Sequence, residues 1–289
     1  MPVSASGGET GQRSTAWNRR RSQENSLAAR VQSQPFETGA VGRVVVLAAI
    51  VAIGLVAYLG VRPSQPWILW LTVALTALAV DGIVRSNPRW GDHGPLASFV
   101  YLVLPALAVV ALGLFIQEAL TGHVRPITAV GGAVAVGLVA YGEYHTVDFG
   151  SRLYGYMRLV LAIATYLTAF AIYTVVFSRD LELVSGAIVV GLVTLLLSME
   201  LLRESRLLGP SSLLIGLAIG VSLAELRLVL YYFPLDSLLA GALLIIGFYL
   251  ATGLVHHLLD HDLEWSTTAE YVLVAAVGTA AVVITRVFV

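Results

Sequence analysis

His256, His257, Asp260, His261 and Asp262 crowd into a single short stretch, with Glu264 and Glu270 soon after. His257 and His261 stand at i and i+4, so a continuous helix would put both imidazoles on one face, where they could share a metal ion. Glu143 and His145 close an earlier apolar run and could complete such a set. Glu143, His145, His257 and His261 are therefore the candidate metal ligands. The spacing is not diagnostic, because no H-E-x-x-H and no paired Glu-x-x-His element accompanies it. A loop rich in His and Asp also has a plainer reading, a solvated turn at a membrane surface.

Glu225, Arg227 and Asp236 form a second candidate, an outward-facing polar pocket beside a face of small residues. Glu225 and Arg227 are two apart, so on a helix they point to different sides and cannot readily pair with each other. Arg227 is expected to find Asp236 or Glu182 instead. Other chemistries are excluded or unsupported. The chain has no cysteine, which removes thiolate catalysis, disulfides, iron–sulfur clusters and Cys-type zinc sites. There is no phosphate-cradling G-x-x-x-x-G-K-[ST] loop and no nucleophile elbow, so no cofactor is expected. Arg19-Arg20-Arg21 lacks interleaved aromatics and precedes an apolar run, which favours a topology signal over nucleic-acid binding.

These residues must be held by elements of an unusual composition. Charged residues make up 12% of the 289 and apolar ones 57%, with a mean hydropathy of +0.83. A soluble domain carries about a quarter charged residues, so the excess apolar surface must face lipid. Nine stretches approach the roughly 20 residues that span hydrocarbon: 43–61, 67–84, 96–118, 126–143, 157–178, 181–203, 208–232, 235–258 and 269–289. The expected fold is all-α, a polytopic transmembrane bundle of about nine spans. The fourth stretch, bracketed by Pro126 and Gly142, is short, which leaves eight as the alternative count. Residues 1–42 are polar, cannot bury enough surface to offset their ordering entropy, and read as a disordered cytoplasmic tail ahead of the helical domain 43–289.

Arginine distribution orients the spans. With the tail inside, only Arg62, Arg125, Arg179, Arg227 and Arg286 of the 17 arginines fall outside, in keeping with the positive-inside rule. The amino terminus is then cytoplasmic and the carboxyl terminus outside the inner (plasma) membrane. Ser212, Gly216, Gly220 and Ala224 recur every four residues, and Ser237 with Gly241 and Gly247 with Ala251 form similar faces. Such faces let neighbouring backbones approach closely, within the bundle or between copies. The middle of the spans offers only hydroxyls such as Thr165, Thr168, Thr194 and Ser222, which disfavours a pump or proton antiporter.

Tyr232-Phe233-Pro234-Leu235, Gly241, Gly247-Phe248-Tyr249-Leu250, Thr252-Gly253-Leu254 with His256-His257, and Glu270-Tyr271 are a different kind of signal. Through these residues the C-terminal third resembles a family of bacterial multi-pass membrane proteins classed as a domain of unknown function. The resemblance implies a helical membrane domain and no activity. The leading expectation is a membrane scaffold or accessory subunit, whose partners are the lipid bilayer and a further copy or a larger membrane complex, with no nucleic acid. One alternative is an interfacial, metal-dependent enzyme acting on a lipid or lipid-linked substrate. The other is a facilitator of a small neutral or hydrophobic solute.

Overall fold

A computed structural model describes residues 39–63, 65–91, 98–148, 150–203, 210–259 and 265–288. Among these residues the chain forms nine helices and no strand. They are α1 (Gly39–Gly60), α2 (Pro66–Arg85), α3 (Phe99–Ala119), α4 (Val124–Thr146), α5 (Tyr154–Ser178), α6 (Leu183–Leu202), α7 (Pro210–Leu230), α8 (Ser237–Leu259) and α9 (Trp265–Phe288). Helices are the expected outcome, since in hydrocarbon the backbone must satisfy its own N–H and C=O groups and a helix does so locally.

Proline and positive-φ residues punctuate the chain. Pro66 and Pro210 open α2 and α7, and Pro126 sits in the first turn of α4, where the missing N–H would have no intrahelical partner anyway. Gly122, between α3 and α4, turns at φ 62°, and Asp180 after α5 at φ 45°, a left-handed conformation that Gly adopts freely and Asp tolerates.

Each expected stretch falls on one helix, with shifted boundaries. α1 begins at Gly39, so residues 39–42 belong to a helix, while the rest of the expected tail lies outside the described residues. The short fourth stretch is a full helix of 23 residues, because the chain stays helical through Glu143 and His145 to Thr146. Eight helices, α1 to α8, are long and apolar enough to cross a membrane. α9 is a further helix of 24 residues, apolar through Ala269–Val282.

The bundle proper is Val44–Val289. α3 and α5 form its centre: α3 packs on α2, α4, α5 and α6, while α5 also meets α4, α6 and α8. α7 lies against α6 and α8, and α9 leans on α8. Consecutive helices run in opposite directions, which side-chain contacts at the two ends make plain. At one end Tyr58 of α1 bonds Gln117 of α3, and Arg179 after α5 pairs with Glu118 at 2.9 Å. At the other, Asn87 after α2 donates to the Tyr144 carbonyl of α4 at 2.8 Å, and Arg89 pairs with Asp148.

The small-residue faces serve internal packing. A Cβ on Gly220 would lie 2.6 Å from the Gly191 carbonyl oxygen, and one on Gly216 would lie 3.3 Å from that of Leu195. α6 and α7 thus touch backbone to backbone, which in lipid supplies dispersion contacts no larger residue would allow. Gly241 of α8 does the same for α5, its missing Cβ 3.1 Å from the Thr174 amide nitrogen. Several mid-helix hydroxyls are likewise occupied. Tyr173 and Thr194 hydrogen-bond at 2.6 Å, and Thr165, Thr194 and Thr252 donate to carbonyls one turn back.

Gly220→Ala should lower unfolding stability in detergent by about 1–3 kcal/mol, because the obstacle is a backbone carbonyl that cannot rotate away. Gly131→Ala, with open space around the added methyl, should leave the midpoint unchanged or slightly raised. Equal midpoints for the two variants would contradict this packing.

Candidate functional site

The strongest concentration of buried charge joins α4, α5 and α6 at the end where Asn87 meets Tyr144. Glu143 on α4 is 0% exposed and Glu200 on α6 is 1% exposed. Arg203, one residue beyond α6, places Nη2 at 2.9 Å from Glu143 Oε2 and 3.0 Å from Glu200 Oε1. The same nitrogen donates to Thr146 Oγ1 at 3.1 Å, and the guanidinium lies 4.3 Å over the Tyr101 ring of α3. Arg158 of α5 completes the cluster, with Nη1 3.1 Å from Glu200 Oε1.

Arg158 has a second task. Its guanidinium also donates to the Glu200 carbonyl and, at 3.2 Å, to that of Leu201. These are among the last carbonyls of α6, which have no intrahelical donor, so a cation there satisfies both the acceptors and the helix dipole. Two carboxylates and two guanidiniums therefore neutralise one another in a place where any one alone would be a buried bare charge. Glu143 Oε1, Glu200 Oε2, Arg203 Nη1 and the Ser198 hydroxyl are buried atoms with no hydrogen-bond partner among the described residues.

The candidate metal ligands fall in different surroundings. Glu143 faces a cation, Arg203, at ion-pair distance. His145 is stacked edge-on against Tyr141 and Tyr144, at ring separations of 4.4 and 5.3 Å. His257 lies on α8, its Nε2 3.4 Å from the Tyr271 hydroxyl of α9. His261 falls outside the described residues. Among the described residues no group of three or more His, Asp or Glu side chains stands close enough to hold a metal ion.

The second candidate set is also divided. Arg227 is 1% exposed. It donates to the Leu181 carbonyl at 3.0 Å and lies 4.7 Å from the Phe177 ring and 4.9 Å from that of Tyr231. Gly186 makes the room, since a Cβ there would stand 2.7 Å from Arg227 Nη2. No ion pair joins Arg227 to Asp236 or Glu182, the partners expected from sequence; two aromatic faces and a carbonyl take their place. Glu225 and Asp236 are both exposed. Glu225 points away from Arg227, as their two-residue spacing requires.

Sequence reasoning singled out Glu143 but did not join it to Glu200, Arg158 and Arg203. A signal was present: Glu200 and Arg203 are spaced i, i+3 at the end of an apolar run, a spacing that pairs charges on one helix face. The partner on α4 lies 60 residues from Arg203 and that on α5 42 residues from Glu200, beyond any local pattern.

Glu143→Gln and Arg203→Gln should each destabilise the protein by about 3–5 kcal/mol, since each leaves a buried charge uncompensated. Arg85→Gln breaks a solvent-facing pair with Asp81 and should cost under about 1 kcal/mol. Unfolding in detergent monitored by tryptophan fluorescence checks both; equal effects at the two places would refute the role assigned to the cluster.

No curated protein and no solved structure matches the chain. A family match does, and it runs over residues 38–285. The resemblance read in the C-terminal third thus extends over all nine helices, from α1 almost to the end of α9. On that match the chain belongs to the family described as Protein of unknown function (DUF5656).

Proposed function

We propose that this protein is a membrane-embedded accessory or scaffold subunit, without catalytic chemistry of its own, and that its amino terminus is cytoplasmic. The observation that carries the reading is the cluster of Glu143, Arg158, Glu200 and Arg203. These four buried charged groups bind one another across α4, α5 and α6. A catalytic acid or base needs an approach to a substrate, and each of these carboxylates instead accepts from a guanidinium. The mid-helix hydroxyls of Thr165, Thr194 and Thr252 are taken up too, each donating to a carbonyl one turn back.

Lipid contact is supported by the outward side chains. Leu78, Ile127, Leu167, Val184 and Leu214 are each more than 60% exposed, far more apolar surface than water tolerates on one small domain. The arginine bias places the Glu143 end inside and the Arg227 end outside.

Solubilised in mild detergent, the protein should migrate and weigh as a stoichiometric complex with other polypeptides on native mass spectrometry. A lone chain that retains its fold would overturn the accessory reading. Orientation is tested separately, helped by the absence of native cysteine. Arg152 and Glu182 are exposed in turns at opposite ends. Glu182→Cys should react with an impermeant maleimide on intact cells, whereas Arg152→Cys should react only after permeabilisation. The reverse pattern would invert the topology.

A further inference from the structure

Glu225 stands outside the internal pairing of charge among the described residues. α7 is 21 residues long, about 31 Å at 1.5 Å per residue, enough to cross the hydrocarbon once. Glu225 lies five residues before its end, about 7–8 Å in from Leu230, beyond which stand the exposed aromatics Tyr231 and Tyr232. Side chains on a helix tilt toward its amino terminus. For α7 that is the opposite end, so the carboxylate starts out toward the bilayer middle rather than toward the nearer surface.

None of its neighbours answers the charge. Glu225 is exposed and enters no ion pair with any described residue. Ser222, one turn earlier on the same side, gives its hydroxyl hydrogen to the Ala218 carbonyl. Arg227 is rotated about 200° around the axis and is buried against Phe177, Tyr231 and Leu181. The surface around Glu225 is a continuous outward stripe of Leu214, Ala218, Val221, Ser222 and Val229, shallow enough at Ala218 and Ser222 for another helix to approach.

We infer that this stripe of α7 is the docking surface for a transmembrane helix of a different protein, one that presents an arginine or lysine to Glu225. Charge complementarity selects the occupant. A carboxylate facing hydrocarbon is costly unless paired, and a cation on a partner helix pairs it at the same depth. A second copy docked about a two-fold axis would set Glu225 against Glu225, a repulsive contact. The inference rests on the accessory-subunit reading and names the chemistry of the partner.

The test places a photo-reactive benzoylphenylalanine at Val221 or Val229 and irradiates native membranes. The expected adduct is with a hydrophobic segment of another protein, and the cross-linked peptide, once sequenced, carries Arg or Lys within about one turn of the contact. Glu225→Gln should reduce the adduct about tenfold, equivalent to losing one paired charge at the interface. Glu225→Arg combined with Glu at the mapped basic position should restore it. Adducts with lipid alone, adducts with another copy of this chain, or adducts indifferent to Glu225→Gln would each overturn the inference. Glu225→Gln touches no described partner and should leave the unfolding midpoint unchanged, which separates docking from folding. If the protein is recovered in a complex yet the α7 probes meet only lipid, this surface is wrong and the accessory reading stands. If it is recovered as a lone chain, both fall.

Discussion

Arg203 sits where three helices must agree. Its guanidinium reaches the carboxylate of Glu143 on α4 and that of Glu200 on α6, and Arg158 brings α5 to the same carboxylate. In a low-dielectric interior none of these four charges is tolerable by itself, so the helices that carry them have one acceptable relative placement. A buried ion-pair set of this kind need not add net stability over an apolar replacement. Its physical effect is that an arrangement leaving any member unpaired is penalised, which ties the ends of α4, α5 and α6 to one register.

Away from that end, backbone proximity takes over. With no water to drive helices together, packing relies on how closely two helices can approach. Gly191 and Gly220 bring α6 and α7 into contact at their carbonyls, and Gly241 seats α8 against Thr174 of α5. α3 and α5 at the centre contribute much of the buried core, including Leu104, Leu161, Ile172 and Tyr173. The remaining apolar side chains point outward, where lipid replaces a core.

At the opposite end of the bundle, one helix handles two charges in two ways. Arg227 is enclosed by aromatic faces, a carbonyl and the space that Gly186 leaves, and as a last-turn cation it also lies favourably at the carboxyl end of α7. Glu225, less than a turn earlier, has none of these and faces outward. Burial of the first and exposure of the second follow from a helical repeat that turns them to different sides.

By itself the sequence determined that the chain is helical, where nearly every helix lies and which residues turn the chain. Those properties are local: the largely apolar run of twenty residues Pro66–Arg85, or the proline that opens it, depends on nothing distant. The spacing Ser212-Gly216-Gly220-Ala224 likewise showed that α7 has a close-packing face. Only the tertiary structure decided that α6 fills that face. It also decided that Glu143 meets Arg203, and that Arg227 is answered by Phe177 and Tyr231 rather than by Asp236. The reason is physical. Hydropathy and turn chemistry act over a few residues, whereas the partner of a buried charge is set by which helix ends the bundle brings together, at separations of 40 to 60 residues that carry no periodic signal.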